Sequence, residues 1–333
     1  MNKPEADPRD HNAAFFCVSL NPAIDTRLVL NEFHMDRVNR AAEVYRTPGG
    51  KAAHVAMALQ ALGASPTWIG FSGGVTGNEL MEGLRRLKIE AVSAPMANDT
   101  RVNLEIIDNR GGVTEILEPG GIISQSEWDE FQKNCSDEFQ RKASKKIVLI
   151  SGSQPPGVPA EASAVILKLA QSFGCLAFLD TSGSSLAVAV AERPDFVKIN
   201  REEAQSVTGI VVNDPASAEQ ALRKLLERGA KSAAISLGDH GMVAIQQRDE
   251  PAIHAWTDPL RAKSTVGCGD SAFAGFAFAT ASAFSFERSL ALAVACGAAN
   301  CLASLPARIK REDVSRFEST VRVESVLKKE RAR

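Results

Sequence analysis

The sequence has no excess of charge of either sign. It contains 38 Lys and Arg against 40 Asp and Glu, a formal net charge of −2 over 333 residues. No global basic field points to nucleic acid, so any anionic ligand must be held by a local site. Hydrophobic residues make up 44% and charged residues 23%, which excludes disorder, collagen and coiled coil as descriptions of the whole chain.

Metal and disulfide motifs are also missing. The six cysteines include no Cys-x-x-Cys pair, and the five histidines include no His-x-x-x-His pair. A chain this long and apolar needs no disulfide staples, so we expect reduced thiols and a cytoplasmic protein. The longest uncharged span, Ser289–Ala307, is only weakly apolar. It predicts a buried helix and no membrane contact, and the polar first residues do not resemble a signal peptide.

Strand-like and helix-like segments alternate along most of the chain. Helical patterns include Lys51–Ala61, Asn78–Leu87, Ala160–Phe173, Ala216–Arg228 and a stretch after Ser126. The strand-like runs are apolar throughout, as strands covered on both faces are: Phe15–Leu20, Thr67–Phe71, Lys146–Ile150, Cys175–Asp180, Phe196–Ile199 and Ser232–Leu237. The pattern predicts an α/β fold with a doubly wound, mostly parallel central sheet and helices on both faces.

Two segments interrupt the alternation. Thr26–Arg46 has no helical period, and Arg101–Asp108 alternates between apolar and polar residues before a turn and a second alternating run, Val113–Leu117. The pair indicates a hairpin in a small antiparallel sheet, which is either a lid over a ligand or an edge hairpin without a role. We expect one domain over 13–323, lid segments at about 26–47 and 99–118, and flexible termini at 1–12 and 324–333.

The strongest local signal is Ser264–Ser271, with the sequence STVGCGDS, before a long helix-forming run. Gly267 and Gly269 would let the backbone approach a ligand, and free N–H groups at a helix entrance hold an anion without a basic side chain. Asp270 stands in the first turn, where a carboxylate is also a common helix-start residue. This pattern alone leaves both an active site and a helix cap open.

Other small, polar segments also follow predicted strands or open helices. Open α/β sheets bind ligands at the carboxyl ends of their strands, so these segments together predict a site there. They are Pro48–Lys51, Ser151–Gly157, Asp180–Gly183, Lys198–Glu203 and Ser236–Gly241.

Five of the spaced motifs are similar to those of the ribokinase-like (pfkB) carbohydrate kinases. In chain order they are NPAID (Asn21–Asp25), GGK (Gly49–Lys51), TRVN (Thr100–Asn103), SGSQPPG (Ser151–Gly157) and STVGCGDS. The resemblance covers about residues 15–322, and the first and third motifs point to the phosphosugar branch, with its 1-phosphofructokinases and tagatose-6-phosphate kinases. It implies a ribokinase-like fold with a β lid and an ATP-dependent phosphosugar kinase.

The resemblance also implies roles for individual residues. Asp270 would be the general base that takes the proton of the sugar hydroxyl, and the N–H groups of Gly267, Cys268 and Gly269 would stabilise the transferring phosphoryl group. Arg101 would bind the phosphate already on the sugar, with Arg40 as a second candidate that could equally be a surface arginine. The full sugar-binding set would be Asp25, Gly49, Gly50, Lys51, His54, Arg101, Asn103 and Ser153.

ATP and magnesium are the implied cosubstrate and cofactor. Asn300 would lie near the adenine, and Glu203 would contact magnesium through water, although Asn200 and Glu203 also fit a helix capping box. Cys268 and Cys296 are interpreted as small packing residues. The nucleotide set would be Lys198, Asn200, Glu203, Ser236, Gly238, Gly241 and Asn300.

The chain departs from the family pattern in the sugar motif. The family has Gly-Lys-Gly-x-Asn where this sequence has Gly50, Lys51, Ala52, Ala53 and His54. The resemblance favours fructose 1-phosphate as the acceptor, with tagatose 6-phosphate and fructose 6-phosphate as alternatives. The alternative hypothesis from a different functional class is a protein that binds these ligands without turnover. A homodimer formed through the lid is implied at the level of the family.

Overall fold

The computed structural model describes residues 12–108, 110 and 112–326. The strands of this part are β1 (Ala13–Ser19), β2 (Ala23–Leu30), β3 (Glu43–Gly49), β4 (Pro66–Ser72), β5 (Glu90–Pro95), β6 (Arg101–Asp108), β7 (Val113–Leu117), β8 (Lys145–Ser151), β9 (Leu176–Asp180), β10 (Phe196–Asn200), β11 (Ala233–Ser236), β12 (Met242–Ile245), β13 (Ile253–Trp256) and β14 (Arg322–Ser325).

The α-helices of the same part are α1 (Lys51–Ala61), α2 (Gly74–Arg86), α3 (Gln125–Phe139), α4 (Ala162–Ser172), α5 (Gly183–Ala191), α6 (Arg201–Thr208), α7 (Pro215–Glu227), α8 (Cys268–Ala281), α9 (Phe286–Leu302) and α10 (Arg311–Glu318). The expected flexible ends at 1–11 and 327–333, and two residues of the 108–112 turn, lie outside the described residues.

The central sheet has ten strands in the order β14-β13-β12-β11-β10-β9-β8-β1-β4-β5. The six predicted strands are all present, and the segment from β11 to β5 is parallel, so the predicted α/β architecture is confirmed. The other end, β11 to β14, is antiparallel. Because β14 pairs with β13, the expectation of a flexible chain from residue 324 is wrong for residues 324–326.

Apolar layers cover both faces of the sheet, as the uniformly apolar strands predicted. In β1, Phe16 and Val18 pack on the side of α3 and α4, whereas Phe15 and Cys17 pack on the side of α1 and α8. The uncharged span around residues 289–307 forms the buried helix α9, as expected. Within the described residues, no helix is long and apolar enough to cross a membrane.

A second sheet of four strands, in the order β3-β2-β6-β7, forms the predicted lid. Its two outer pairs are antiparallel, and β2 and β6 run parallel at its centre. Asn103 and Glu105, on the predicted polar face of β6, are buried rather than solvated. The lid sheet therefore turns its polar face toward the protein, over the edge of the sheet where the candidate ligand segments lie.

Candidate active site

The candidate segments converge at one edge of the central sheet. Strand register aligns Ser151 at the end of β8 with Asp180 at the end of β9. It also aligns Asn200 at the end of β10 with Ser236 at the end of β11. Because these strands are parallel, their carboxyl ends form a continuous row. The N-termini of α1 and α8 open toward the same edge, since Lys51 and His54 of α1 contact Asp180 and Asp270.

The backbone turns sharply where α8 begins. Gly267 caps the helix with φ of 80°, a left-handed conformation that side chains rarely adopt. The N–H groups of Gly267 and Gly269 donate to no acceptor in the described part of the chain, whereas the amide of Cys268 donates to Thr265 O at 3.2 Å. The Cys268 N–H thus closes the turn, and its predicted contribution to anion binding beside the two glycine amides stays a prediction.

Asp270 lies in the first turn of α8 and is 6% exposed. Its Oδ2 accepts a hydrogen bond from His54 Nδ1 at 2.8 Å. The other nitrogen of the ring, Nε2, lies 2.9 Å from Asp25 Oδ2 in an ion-pair contact, but its N–H is out of line for a hydrogen bond. A buried imidazole thus bridges the predicted base and the predicted sugar-binding carboxylate.

Asp25 is fixed by groups from three elements. Asn103 of β6 donates to its Oδ1 at 2.9 Å, and the N–H of Gly50 donates to the same carboxylate. A Cβ on Gly49 would lie 2.2 Å from Asp25 Cγ, so only glycine leaves room for this carboxylate. Burial alone would raise the pKa of Asp25, but His54, Asn103 and the Gly50 amide together lower it.

Two lysines share one buried carboxylate at the centre of the edge. Asp180 is 0% exposed and accepts from Lys51 Nζ at 2.6 Å and from Lys198 Nζ at 2.7 Å. Burial alone would raise the pKa of Asp180, but the two ammonium groups lower it to about 2. Lys198 Nζ lies close to Gly269, because a Cβ on that glycine would be 2.7 Å away. Positive charge therefore stands beside the start of α8.

Asn200 and Glu203 form a capping box, which was one of the two interpretations of their sequence pattern. Asn200 Oδ1 accepts from Glu203 N, and Glu203 Oε2 accepts from Asn200 N, both at 2.8 Å. The second oxygen of Glu203 lies 3.6 Å from Lys51 Nζ. Lys51, predicted to bind the sugar, thus sits between Asp180 and Glu203 on the side of the predicted nucleotide residues.

A cavity of about 290 Å³ opens beside the start of α8. Three predicted nucleotide residues line it, together with residues of the α8 entrance and of α9: Ser236, Gly238, Gly241, Cys268, Gly269 and Cys301.

Asn300 does not line this cavity. It is 2% exposed, its Nδ2 donates to Val266 O at 2.8 Å, and its Oδ1 accepts from Ala307 N at 2.6 Å. Both ends of its amide hold the loop before α8, and its predicted place near the adenine stays a prediction.

Arg101 lies at the lid end of the site. Its guanidinium donates to Glu118 O at 2.7 Å and to Asn21 O at 3.0 Å, while its buried Nε has no partner. Ser153 Oγ accepts from Asn21 Nδ2 at 3.2 Å, so it faces the same corner. Arg40 is exposed in the β2–β3 loop, apart from these groups.

The cysteines are all free thiols. Cys296 is fully buried, as expected of a packing residue. Cys268 is different, because its Sγ lies 3.3 Å from Cys301 Sγ at the cavity wall. The Cys268 thiol lowers the pKa of Cys301 by hydrogen bonding. Sequence analysis did not pair these two residues, which are 33 positions apart.

A second buried cluster, also absent from the sequence prediction, connects the lid to the loop before α8. Arg27 of β2 forms two hydrogen bonds with Glu105 of β6, at 2.8 and 2.9 Å, and a third with Ser304 O. Ser264 Oγ donates to Glu105 at 3.0 Å and accepts from Val266 N. The ion pair between Arg27 and Glu105, together with the hydroxyl of Ser264, therefore connects the lid to the loop before α8.

Comparison with known proteins supports the resemblance. A family model described as pfkB family carbohydrate kinase matches residues 17–310. The 1-phosphofructokinase of Bacillus subtilis is 28% identical over 284 residues, which cover 85% of this chain and 91% of that protein. A tagatose-6-phosphate kinase of Staphylococcus epidermidis is 30% identical over 263 residues, which cover 78% of this chain and 83% of that protein.

Comparison with solved structures agrees with the family match. The structure of the tetrameric inhibited form of phosphofructokinase-2 from Escherichia coli is similar with a TM-score of 0.83 at 26% identity, covering 92% of this chain and 98% of that one. The ribokinase-like fold predicted from the motifs is thereby confirmed. The chain belongs to the pfkB family of carbohydrate kinases.

Proposed function

We propose that this protein is an ATP-dependent phosphosugar kinase that converts fructose 1-phosphate to fructose 1,6-bisphosphate. The observation that carries the proposal is the position of Asp270 in the first turn of α8, across His54 from Asp25 and behind two glycine amides that have no acceptor among the described residues. Relatives named 1-phosphofructokinase and tagatose-6-phosphate kinase support a sugar phosphate as the acceptor. Tagatose 6-phosphate and fructose 6-phosphate are the alternatives within the same chemistry.

The geometry supports one chemical step. Asp270 Oδ1 forms no hydrogen bond within the described residues, so it is left to accept the proton of the sugar hydroxyl as that oxygen attacks the γ-phosphate. The amides of Gly267 and Gly269 would donate to the oxygens of the phosphoryl group in transfer. Lys198, next to Gly269, would add positive charge along the triphosphate.

Magnesium fits this site as an ion held mainly by the phosphates. Within the described residues, no group of three or more His, Cys, Asp or Glu side chains is arranged to hold a metal, and magnesium commonly keeps several waters with one or two protein carboxylates. Glu203, with one oxygen outside its capping box, is the carboxylate that would contact it through water. When bound, the ion offsets negative charge that develops on the phosphates.

The lid is proposed to cover the sugar, because it supplies Asp25, Arg101 and Asn103. Apolar side chains on its outer strands are solvent-exposed in the single chain, among them Val44, Ile116 and Leu117. Such exposed apolar side chains are available for contact with a second chain, which supports a homodimer through the lid. Sedimentation at twice the mass of one chain would support it, and a monomer at all concentrations would refute it.

The experiment that tests the function is a coupled ADP-release assay with ATP, magnesium and a panel of acceptors. The panel contains fructose 1-phosphate, fructose 6-phosphate, tagatose 6-phosphate, fructose, ribose and adenosine. We expect strong turnover with fructose 1-phosphate. Turnover only with an unphosphorylated sugar would contradict the role of Arg101. No turnover with any acceptor, while ATP still binds in calorimetry, would favour a binding protein of the same fold.

Arg101→Ala is expected to raise KM for the phosphorylated sugar by roughly 10- to 100-fold, the loss of one charge-assisted contact. KM for ATP should change less than about threefold, because Arg101 belongs to the lid end of the site. Steady-state kinetics with each substrate varied checks this. Arg37→Ala, in the exposed loop between β2 and β3, is the matched control. Equal increases in both KM values would indicate that Arg101 only holds the loops at Asn21 and Glu118.

Cys268→Ala and Gly267→Ala should differ sharply although they are neighbours. The first removes a side chain that the mechanism does not use, so kcat should stay within about threefold of the original value. The second places a Cβ at a φ of 80°, 3.1 Å from Pro306 Cβ and 3.2 Å from Ala307 N, and should lower kcat by at least tenfold through a displaced amide. Similar kcat values in the two variants would argue against an anion-binding turn at this position.

A further inference from the structure

His54 is one of two residues at which this chain departs from the family's sugar motif, and its surroundings are unusual. It is 4% exposed in the first turn of α1. Nδ1 lies 2.8 Å from Asp270 Oδ2 and Nε2 lies 2.9 Å from Asp25 Oδ2. Every polar atom of the ring is thus within 3 Å of a carboxylate, one from the lid sheet and one from α8.

Only a protonated ring satisfies both contacts. A neutral imidazole has one N–H and one lone pair, and the lone pair would face a carboxylate oxygen at under 3 Å. Nε2 is buried without an aligned hydrogen bond, so its favourable interaction with Asp25 is one of opposite charges. A proton on Asp270 would also relieve the repulsion, but Asp270 could then not accept a proton from the sugar.

We infer that His54 is a positioning residue: a permanent imidazolium that holds the carboxylates of Asp25 and Asp270 at a fixed separation. This inference rests on the proposed role of Asp270 as the base. His54 therefore has a different role from the family's asparagine, which would bind the sugar. The imidazolium occupies Oδ2 of Asp270 and leaves Oδ1 for the reacting hydroxyl.

Electrostatics agree with the geometry. Burial lowers the pKa of His54, but the two carboxylates outweigh it and raise the pKa to about 10. Within the described residues, the other titratable groups that interact with these three include Lys51 of α1, which faces Asp270, Arg101 of β6, which faces Asp25, Glu115 of β7, and the Cys268 thiol beside Asp270. The ring should therefore stay charged throughout the neutral range.

The first test uses the full chain with ¹⁵N-labelled histidine and no substrate. His54→Gln identifies the His54 ring signals by their disappearance from the NMR spectrum. We expect both ring nitrogens to have imidazolium shifts from pH 6 to pH 8.5. A neutral tautomer at pH 7.5 would overturn the inference. Because this readout needs no turnover, it stands apart from the proposed function, whose failure would appear instead as normal activity in Asp270→Asn.

The second test uses the acceptor that gives the highest turnover. His54→Asn, which restores the family's residue, and His54→Gln should each lower kcat roughly 10- to 100-fold. The acid limb of the kcat profile should move up by about one pH unit, because two carboxylates without a cation between them hold protons more tightly. KM for ATP should be unchanged. His34→Gln, at an exposed position in the lid loop, is the control.

Two outcomes would contradict a positioning role. One is a normal kcat with only KM for the sugar raised, as expected of a hydroxyl ligand. The other is an acid limb at its original pH in both His54 variants. If a variant folds poorly by thermal unfolding, the NMR result on the original protein still decides the matter.

Discussion

Replacing Asp270 by asparagine is expected to lower kcat by about 100- to 10,000-fold, the range for loss of an aligned general base. Asparagine has nearly the same shape and can still accept a hydrogen bond from His54 through its carbonyl oxygen, so the packing around α8 should persist. It cannot take the proton of the sugar hydroxyl. The loss should therefore appear in kcat at saturating sugar and ATP.

ATP binding should survive this substitution. The groups proposed to hold the phosphates are the amides of Gly267 and Gly269 and the ammonium of Lys198, and none of them is altered. Calorimetry with magnesium and ATP should give a dissociation constant within about threefold of the original. Asp129→Asn, an exposed carboxylate on α3, controls for the charge change. Turnover near the original value would remove Asp270 from the mechanism.

The architecture was predictable because its signals are local. Strands covered on both faces are apolar throughout, so β1, β8 and their parallel neighbours are recognisable in isolation. The three antiparallel strands at the edge, β12, β13 and β14, have four residues each, too few to show a period. β14 is half exposed, and its composition does not distinguish it from a frayed end.

Parts of the site were predictable for the same reason. Gly267, Gly269 and Asp270 lie within four consecutive residues, so their chemistry and their helix-entrance position are visible together. Asn300 shows the limit of this approach. A motif resemblance gives a position in the chain but not the rotation of a helix. The turn of α9 presents Ala298 and Cys301 to the cavity and directs Asn300 to the loop before α8.

Contacts between distant positions could not be predicted at all. Arg27 and Glu105 are 78 residues apart, and Ser264 is 159 residues from Glu105. His54 was identified as a substitution within a motif, but its bond to Asp270 spans 216 residues. In each case a buried polar group meets its partner only when elements that are far apart in the chain fold together. A sequence pattern shows that such a residue is polar, but it does not show which group the residue contacts.

Asp180→Asn is expected to produce the largest loss of stability among single substitutions at the site. Asp180 is fully buried and accepts from both Lys51 and Lys198. Asparagine removes the negative charge and leaves Lys198, whose side chain is 5% exposed, without a counter-ion. Removal of one partner of a buried ion pair costs about 3–5 kcal/mol of unfolding free energy. For a chain of this size that corresponds to a fall in Tm of roughly 4–7 °C.

The same change at the surface should cost far less. Asp258 pairs with Arg322 at 2.8 Å, and both side chains are more than half exposed. Exposed pairs contribute about 0–1 kcal/mol, so Asp258→Asn should barely move Tm in the same thermal-unfolding experiment. Equal effects of the two substitutions would show that burial of Asp180 is not what gives its ion pairs their strength.

The pH dependence of the Asp180→Asn effect has a definite sign. The lysines lower the pKa of Asp180 to about 2 in the folded state, against about 3.9 for an unperturbed aspartate. The folded state therefore binds fewer protons than the unfolded state between these values. The contribution of Asp180 is complete above about pH 4 and is lost as the pH falls through about 2.

The pKa of Lys51, a partner of Asp180, shifts in the opposite direction. The carboxylates of Asp180, Glu203 and Asp270 raise the pKa of Lys51 above its usual value, against the effect of burial. The contribution of a group with a raised pKa is lost only as the pH rises through that raised value. The stability difference between the original protein and Asp180→Asn should thus be constant from pH 6 to pH 9 and shrink as the pH falls from about 4 toward about 2. Urea unfolding at each pH measures this difference. A constant value down to pH 3 would mean that the two lysines do not lower the pKa of Asp180.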